Sequence, residues 1–355
     1  MHKLLVTGGC GFIGSHTCFS LLKSGYKLVV IDSNINSTEK TLKRLGQIDE
    51  LRKIDVNSRL EFIKGDIRDY SVLKKIFINS LNLGDPIQGV IHFAGLKSVS
   101  DSIANVTEYW DVNFGGTLSL IKTMEEYKCQ TIVFSSSASI YSGKNKQPLN
   151  EDSLINPISP YGMTKVAVEN MLISLTKKIN NNWRIANLRY FNPIGAHPSG
   201  IIGEDPIMKN GNLFPALTDV ASGINKNLMV YGNDWPTEDG TGIRDYIHVI
   251  DLAEGHKAAL EYLFDNSPQA INLNLGTGIG TSVISLIKTF ERVNQQKIPY
   301  IFSERRAGDI PISIADNKLA LEKLNWKPER NLVDMCKDAW NWKIKSSNGF
   351  KSYLK

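Results

Sequence analysis

Tyr161 and Lys165 stand four residues apart in SPYGMTK. On a helix that spacing places both side chains on one face, so a phenol and an ammonium can work on the same atom. A phenol of ordinary pKa, about 10, is a poor base at neutral pH. Lowering it by about three units takes about 4 kcal/mol of differential stabilisation, which an ammonium and a second bound cation together could supply. Alone, the pair is also the pattern of a helix-surface tyrosine beside a solvated lysine. Its weight comes from Ser135, Ser136 and Ser137, which close the preceding apolar run and bring hydroxyls to the same sheet edge.

A second constellation lies at the start of the chain. Gly8, Gly9, Gly11 and Gly14 fit both GxxGxxG and GxGxxG, between an apolar run and an amphipathic one. Glycine permits a tight turn and close backbone approach, while the following helix offers amide donors and a positive dipole end to a pyrophosphate. Asp32 ends the second apolar run. There a carboxylate accepts from a ribose 2′-hydroxyl and repels a 2′-phosphate, favouring NAD over NADP. The bland alternative is a glycine turn with a surface aspartate. Cys10, inside the loop, needs only to be small.

These groups require a scaffold of parallel strands and crossover helices. Short β-branched runs at Lys3–Thr7, Lys27–Ile31, Leu60–Lys64, Gly89–Phe93, Thr131–Ser135 and Arg184–Leu188 read as strands buried on both faces. Amphipathic stretches at Gly14–Lys23, Val72–Leu81, Gly116–Tyr127 and Tyr161–Lys178 read as the helices between them. The class is α/β: a doubly wound parallel Rossmann sheet, with ligands beyond the carboxyl ends of its strands. A smaller mixed α/β substrate domain follows it.

Residues 1–190 are expected to form the first domain and 191–345 the second, with 245–275 able to pack back on the first. The segment Asp251–Phe264 reads as a helix capped by Asp251, and Ile271–Leu275 as a strand. Residues 346–355 read as a frayed polar tail.

Composition excludes several classes. With 355 residues, 42% hydrophobic and 22% charged, the chain can bury a full core and is neither disordered nor fibrous. A charge of +5, from 41 basic and 36 acidic residues without a basic block, is a solvated surface rather than a nucleic-acid footprint. Four scattered cysteines, Cys10, Cys18, Cys129 and Cys336, point to no metal site and no disulfide framework and suit a reducing cytoplasm. No run reaches membrane-spanning length.

Ten segments, in order, now identify a resemblance: TGGCGFIGSHT, GDIRD, VIHFAGLKSV, FSSSASIY, SPYGMTK, LRYFNPIGAHPSG, GEDP, PTEDGTGIRDYIHVIDLA, NLGTG and RRAGDIP. The sequence resembles the extended short-chain dehydrogenase/reductase family, in its UDP-glucose 4-epimerase branch, over nearly its whole length. The resemblance implies interconversion of UDP-glucose and UDP-galactose through transient oxidation at C4, with bound NAD as cofactor, in a homodimer.

The family's roles carry over to matching positions. Tyr161 is implied as the base, Lys165 as the group that binds the nicotinamide ribose and lowers the Tyr161 pKa, and Ser137 as the holder of the sugar hydroxyl. Besides Gly8, Gly11, Phe12, Ile13 and Gly14, the cofactor is expected at Asp32, Asn36, Ser37, Asp66, Ile67, Phe93, Ala94, Lys97, Asn113, Ser135 and Tyr190. The nucleotide-sugar is expected at Asn192, Asn212, Leu213, Tyr231, Arg244, Arg306 and Asp309, with Ser313 facing the hexose C2 substituent. A bulky tyrosine at that last position restricts the family to unacetylated sugars, so the small Ser313 implies use of UDP-GlcNAc and UDP-GalNAc as well. One departure is Val112, where some members carry asparagine just before the Asn113 position.

Two competing readings remain. A nucleotide-sugar 4,6-dehydratase needs acid–base carboxyls beside the active-site serine, and SSSASIY has none. A non-catalytic NAD-binding regulator has no need of Tyr161 and Lys165.

Overall fold

A computed structural model describes residues 2–179, 181–207, 212–306 and 308–346. Seven parallel strands form the main sheet: β1 (Lys3–Thr7), β2 (Lys27–Asp32), β3 (Leu60–Lys64), β4 (Ile87–His92), β5 (Thr131–Ser137), β6 (Arg184–Tyr190) and β10 (Gln269–Leu275). Their order is β10-β6-β5-β4-β1-β2-β3. Chain order reverses beside β1, which pairs with β2 on one side and β4 on the other, so the crevice of a doubly wound sheet opens above its carboxyl end.

The six expected strands are all present, several extended by one or two residues. The seventh, β10, pairs with β6 over its whole length. β1 is buried at every position, as its unbroken apolar run requires of a strand covered on both faces. On one face the helices Phe12–Lys23 and Val249–Asp265 pack with Leu21, Leu22, Leu252 and Leu260. On the other, Tyr70–Asn82, Gly116–Glu126 and Pro160–Leu175 contribute Ile76, Phe77, Leu120 and Leu172.

The helix carrying Tyr161 and Lys165 starts one residue before the expected point. The Ser159 side chain accepts from the Gly162 amide at 3.1 Å and Pro160 occupies the first turn, a serine cap followed by a residue with no amide hydrogen to satisfy. It ends at Leu175, short of Lys178.

The Asp251 cap is a correction. The helix begins at Val249, and its cap is His248, whose Nδ1 accepts from the Ile250 amide at 3.1 Å. Asp251 instead accepts from the Glu329 and Arg330 amides and the Arg330 guanidinium. A sequence pattern detects an acid near a helix start but not a partner some eighty residues away.

The smaller lobe is built on β9 (Ile243–His248), which pairs with β7 (Asn192–Ile194), β11 (Gly280–Ser282) and β13 (Ile312–Ser313). A separate two-stranded ribbon joins β8 (Leu228–Tyr231) and β12 (Tyr300–Ser303). Its core includes Phe214, Leu217, Val230, Phe290 and Met335. Among the described residues no helix is long and apolar enough to cross a membrane. Residues 347–355 of the tail lie outside the described residues.

Candidate active site

The chain leaves β1 through a turn that requires glycine. Gly8 has φ +68°, and a Cβ there would sit 2.7 Å from the Ala94 nitrogen. A Cβ on Gly14 would come within 2.4 Å of the Gly8 carbonyl oxygen. Neither neighbour can move, since both are backbone, so any side chain would force the loop and the helix Phe12–Lys23 apart. The helix start carries no acidic residue and no side-chain cap. Its amides remain directed at the crevice.

Asp32, nearly buried at the end of β2, holds this loop. One carboxylate oxygen accepts from the Cys10 amide at 2.9 Å, the other from the Asn34 amide at 2.9 Å and the Ser37 hydroxyl at 2.8 Å. Three donors leave about one of a carboxylate's four acceptor positions for an outside hydroxyl. Burial, followed by the Asp32 charge, pushes the Cys10 thiol far above its ordinary value, so it is no thiolate.

A cleft of about 710 Å³ runs from this loop to Tyr161 and Lys165. Gly8, Gly11, Phe12, Ile13, Gly14, Asp32, Asn36, Ser37, Asp66, Ile67, Phe93, Ala94, Lys97 and Tyr190 all line it. Asp66 is bound by Arg68, which holds its carboxyl below the usual range.

Asn113 and Ser135 stand behind the wall. Asn113 spans Leu96 and Thr164, accepting from the Leu96 amide at 2.7 Å and donating to the Leu96 carbonyl and Thr164 hydroxyl, both at 3.1 Å. A π-helical turn, Trp110–Gly115, turns its predecessor Val112 onto the cleft instead. Such turns re-aim single side chains and concentrate at functional sites.

The Ser135 hydroxyl meets the Tyr190 hydroxyl at 2.9 Å, and its carbonyl accepts from Lys165 Nζ at 2.8 Å. Lys165 Nζ also lies 5.6 Å from the Tyr161 ring centroid and 4.8 Å from that of Phe134. Burial brings the Lys165 ammonium down to about 8. Burial raises the Tyr161 phenol, and the Ser137 hydroxyl opposes that rise.

The phosphate-binding candidates converge elsewhere, on the smaller lobe. Arg244 Nη2 lies 3.8 Å from one Asp309 oxygen, and Arg306 Nε donates to the other at 3.1 Å. Two guanidiniums on one carboxylate leave a net positive charge. Arg306 covers the Tyr231 ring at 4.8 Å. Ser313, buried, pairs in register with Arg244. Asn192 lies on β7, the other neighbour of β9, while Asn212 and Leu213 begin the helix Leu213–Ala221. Of the substrate set, Tyr161 alone lines the 710 Å³ cleft.

A family model described as GDP-mannose 4,6 dehydratase matches residues 5–339. The UDP-glucose 4-epimerase of Bacillus subtilis is 46% identical over 349 residues, 98% of this chain and 99% of that one. The chain belongs to the UDP-glucose 4-epimerase family, within the extended short-chain dehydrogenases/reductases. Among solved structures, the UDP-glucose 4-epimerase of Stenotrophomonas maltophila with bound NAD and formylated UDP-arabinopyranose is 41% identical. It superimposes with a TM-score of 0.91 over 98% of this chain and 99% of that one. The Bifidobacterium longum enzyme, in complex with NAD+ and UDP, is 40% identical, also with a TM-score of 0.91, over 98% of this chain and 100% of that one.

The dehydratase description belongs to the wider family. In this chain β5 runs on into Ala138 and Ser139, with no carboxyl beside Ser137.

Some of the epimerase cleft has no single-residue signature. Glu204 lines it and reaches Lys97 at 3.4 Å across the two lobes. Its segment, GEDP, stands out only as part of the resemblance. Tyr109, also lining the cleft, donates to Asp101 at 3.1 Å and accepts from the Ser98 amide, in a stretch without a periodic pattern.

Proposed function

We propose that this protein interconverts UDP-glucose and UDP-galactose, using NAD held in the cleft. The observation that carries the reading is the placement of Tyr161 and Lys165 at one end of a cleft whose other end is the glycine turn and Asp32, beside the strand that ends at Ser137. The residues fit the cofactor: the turn keeps its floor open only because Gly8 and Gly14 lack Cβ atoms, the helix start offers amides to a pyrophosphate, and Asp32 keeps room for a ribose hydroxyl.

Bound NAD supplies a hydride acceptor that can return what it takes. The chain does the rest. Ser137 and Tyr161 receive the sugar's C4 hydroxyl, and Tyr161 takes its proton as C4 is oxidised. Lys165 holds positive charge beside the ring that becomes a phenolate. Arg244 and Arg306 clamp the diphosphate, as paired guanidinium donors do. The hexose stays loosely held, so the keto sugar can turn over and accept hydride on its other face without escaping. Tyr161 then returns the proton.

The small Ser313 supports extension to the N-acetylated sugars. A homodimer is proposed on the surface formed by the helices near residues 99–115 and Pro160–Leu175, which pack together and expose Ile103, Val106, Trp110 and Met163. Four buried free cysteines fit a reducing cytoplasm.

The test is to incubate purified protein with UDP-galactose and separate the products. UDP-glucose should form, and Tyr161→Phe should lower turnover by roughly 10²- to 10⁴-fold while UDP still binds. Substantial turnover by Tyr161→Phe contradicts the assignment.

A further inference from the structure

A second buried layer lies behind Ser137, Tyr161 and Lys165. Glu169 follows Lys165 by one helical turn on Pro160–Leu175 and is 2% exposed. Arg189, on β6, grips it bidentately, with Nε to one oxygen at 3.0 Å and Nη2 to the other at 2.7 Å. Ser136 donates its hydroxyl to the same carboxylate. The register makes the arrangement specific: Ser136 pairs with Arg189, and the next pair along is Ser137 with Tyr190. Ser136 is thus next to Ser137 in sequence and Glu169 one turn from Lys165, while Arg189 faces Ser136 across the strands.

Burying an ion pair strips water from both charges, and apolar residues of similar volume are often as stable or more so. Stability is therefore a weak reason for a carboxylate at this place. Lys165 supplies a better one. The ionisable groups that bear on it are Tyr161 and Glu169 from its own helix and His92 from β4; from β6, Tyr190 meets Ser135, whose carbonyl holds the lysine, and Arg189 binds Glu169. Glu169 is the carboxylate among them.

We propose that Glu169 is a positioning residue for the reaction: locked by Arg189 and Ser136, it keeps Lys165 an ammonium and fixes the strand end that presents Ser135 and Ser137. The proposal rests on the epimerase reading for its kinetic part. Two observations support it. The Glu169 charge is the force that opposes burial at Lys165. Ser136, which Glu169 binds, lies between Ser135, whose carbonyl holds Lys165, and Ser137, the last residue of the strand.

The test uses the holoenzyme labelled with ¹³C at the lysine ε-carbon, the Lys165 resonance being assigned by its loss in Lys165→Met. In the wild type that resonance should titrate near pH 8, the value to which burial brings it. Glu169→Gln keeps a hydrogen-bonding group for Ser136 but loses the charge. It should lower the midpoint by about one unit or more, and move the alkaline limb of kcat/KM for UDP-galactose in the same direction. Glu169→Asp should restore part of both. If Glu169→Gln leaves Arg189 unpaired and fails to fold, the double variant Glu169→Gln/Arg189→Met removes both charges; losing the Arg189 cation offsets part of the shift, so its midpoint should fall by less than in the single variant but still lie below that of the wild type. A folded variant with an unchanged lysine titration, and activity reduced equally at every pH, overturns the proposal. An inactive wild type counts against the epimerase reading alone, because the lysine titration still decides the role of Glu169.

Discussion

Lys165 Nζ donates to the Ser135 carbonyl oxygen at 2.8 Å. The catalytic helix is thereby tied to the strand that carries the active-site hydroxyls, through a buried ammonium whose pKa burial has brought from 10.5 to about 8. Between those two values the unfolded chain holds a proton that the native state has released, so this group makes stability rise with pH from about 8 to 10.5. Below pH 8 the full cost of burying the charge is present, on the order of 3 kcal/mol.

Replacing Lys165 by methionine should therefore separate activity from stability. Turnover should fall by at least about 10²-fold, since the charge beside Tyr161 is gone. Urea unfolding at pH 7 should show no loss of stability, and the wild type's gain between pH 8 and 10 should be absent from the variant. A strongly destabilised variant at pH 7 would mean that the bond to Ser135 outweighs the cost of burial.

Asp32 has two duties that one substitution tests together. In Asp32→Asn an amide group must replace one of the two oxygens that now accept from Cys10, Asn34 and Ser37, so a donor will face a donor. Leaving such a group unsatisfied costs about 1–3 kcal/mol. Titration calorimetry of protein reconstituted with each dinucleotide should show NAD binding weakened by roughly 10- to 100-fold, and a narrower preference over NADP, because the repelling charge is lost. Undiminished preference for NAD would place the discrimination elsewhere.

Why some of this could be read from sequence follows from where each signal resides. The six strands from β1 to β6 and the Gly8–Gly14 turn are local: β-branched runs and glycine spacing specify them within a dozen residues. β10 was legible as a strand, but its place beside β6 depends on a pairing across some eighty residues. Asp251 looked like a cap because it precedes an apolar run, yet its partners are Glu329 and Arg330. Asn113 stands behind the cleft that Val112 lines, within a π-helical turn that leaves no periodicity in the sequence. Lys97 and Glu204 meet only because two lobes do.

Four buried histidines set the acid limit. Burial lowers His16 and His92 to about 3, and His197 and His256 to about 4. All four stay neutral in the native state at a pH where the unfolded chain, titrating near 6.5, is protonated. Stability is thus present above about pH 6.5 and lost as pH falls toward 4, at up to about 1.4 kcal/mol per pH unit for each histidine. His256 packs between the Phe93 and Tyr190 rings, so His256→Phe is an apolar replacement there. Urea midpoints should fall less steeply in this variant than in the wild type between pH 6 and 4.5. Equal slopes would remove His256 from the acid-sensitive set.

The breadth of substrate use turns on Ser313. Its strand β13 is short, but the position is well held: it pairs with Arg244 on β9, and the Gln147 side chain binds the backbone on both sides, donating to the Ile312 carbonyl at 3.1 Å and accepting from the Ile314 amide at 2.9 Å. The side chain at 313 therefore cannot drift away to make room, and its own volume sets the space available. A serine there leaves space that a tyrosine would fill. The hydroxyl can also hydrogen-bond an N-acetyl amide, whereas a pocket closed by a phenol ring excludes one by steric contact. The expected outcome is that the wild type interconverts both UDP-glucose with UDP-galactose and UDP-GlcNAc with UDP-GalNAc, while Ser313→Tyr loses about 10²-fold or more in kcat/KM on the acetylated pair and little on the other. Product separation from both pairs, for both proteins, decides it. A wild type inactive on acetylated sugars refutes the inference from Ser313, and an equal loss on both pairs in Ser313→Tyr would show that the substitution disturbs Arg244 and the diphosphate clamp instead.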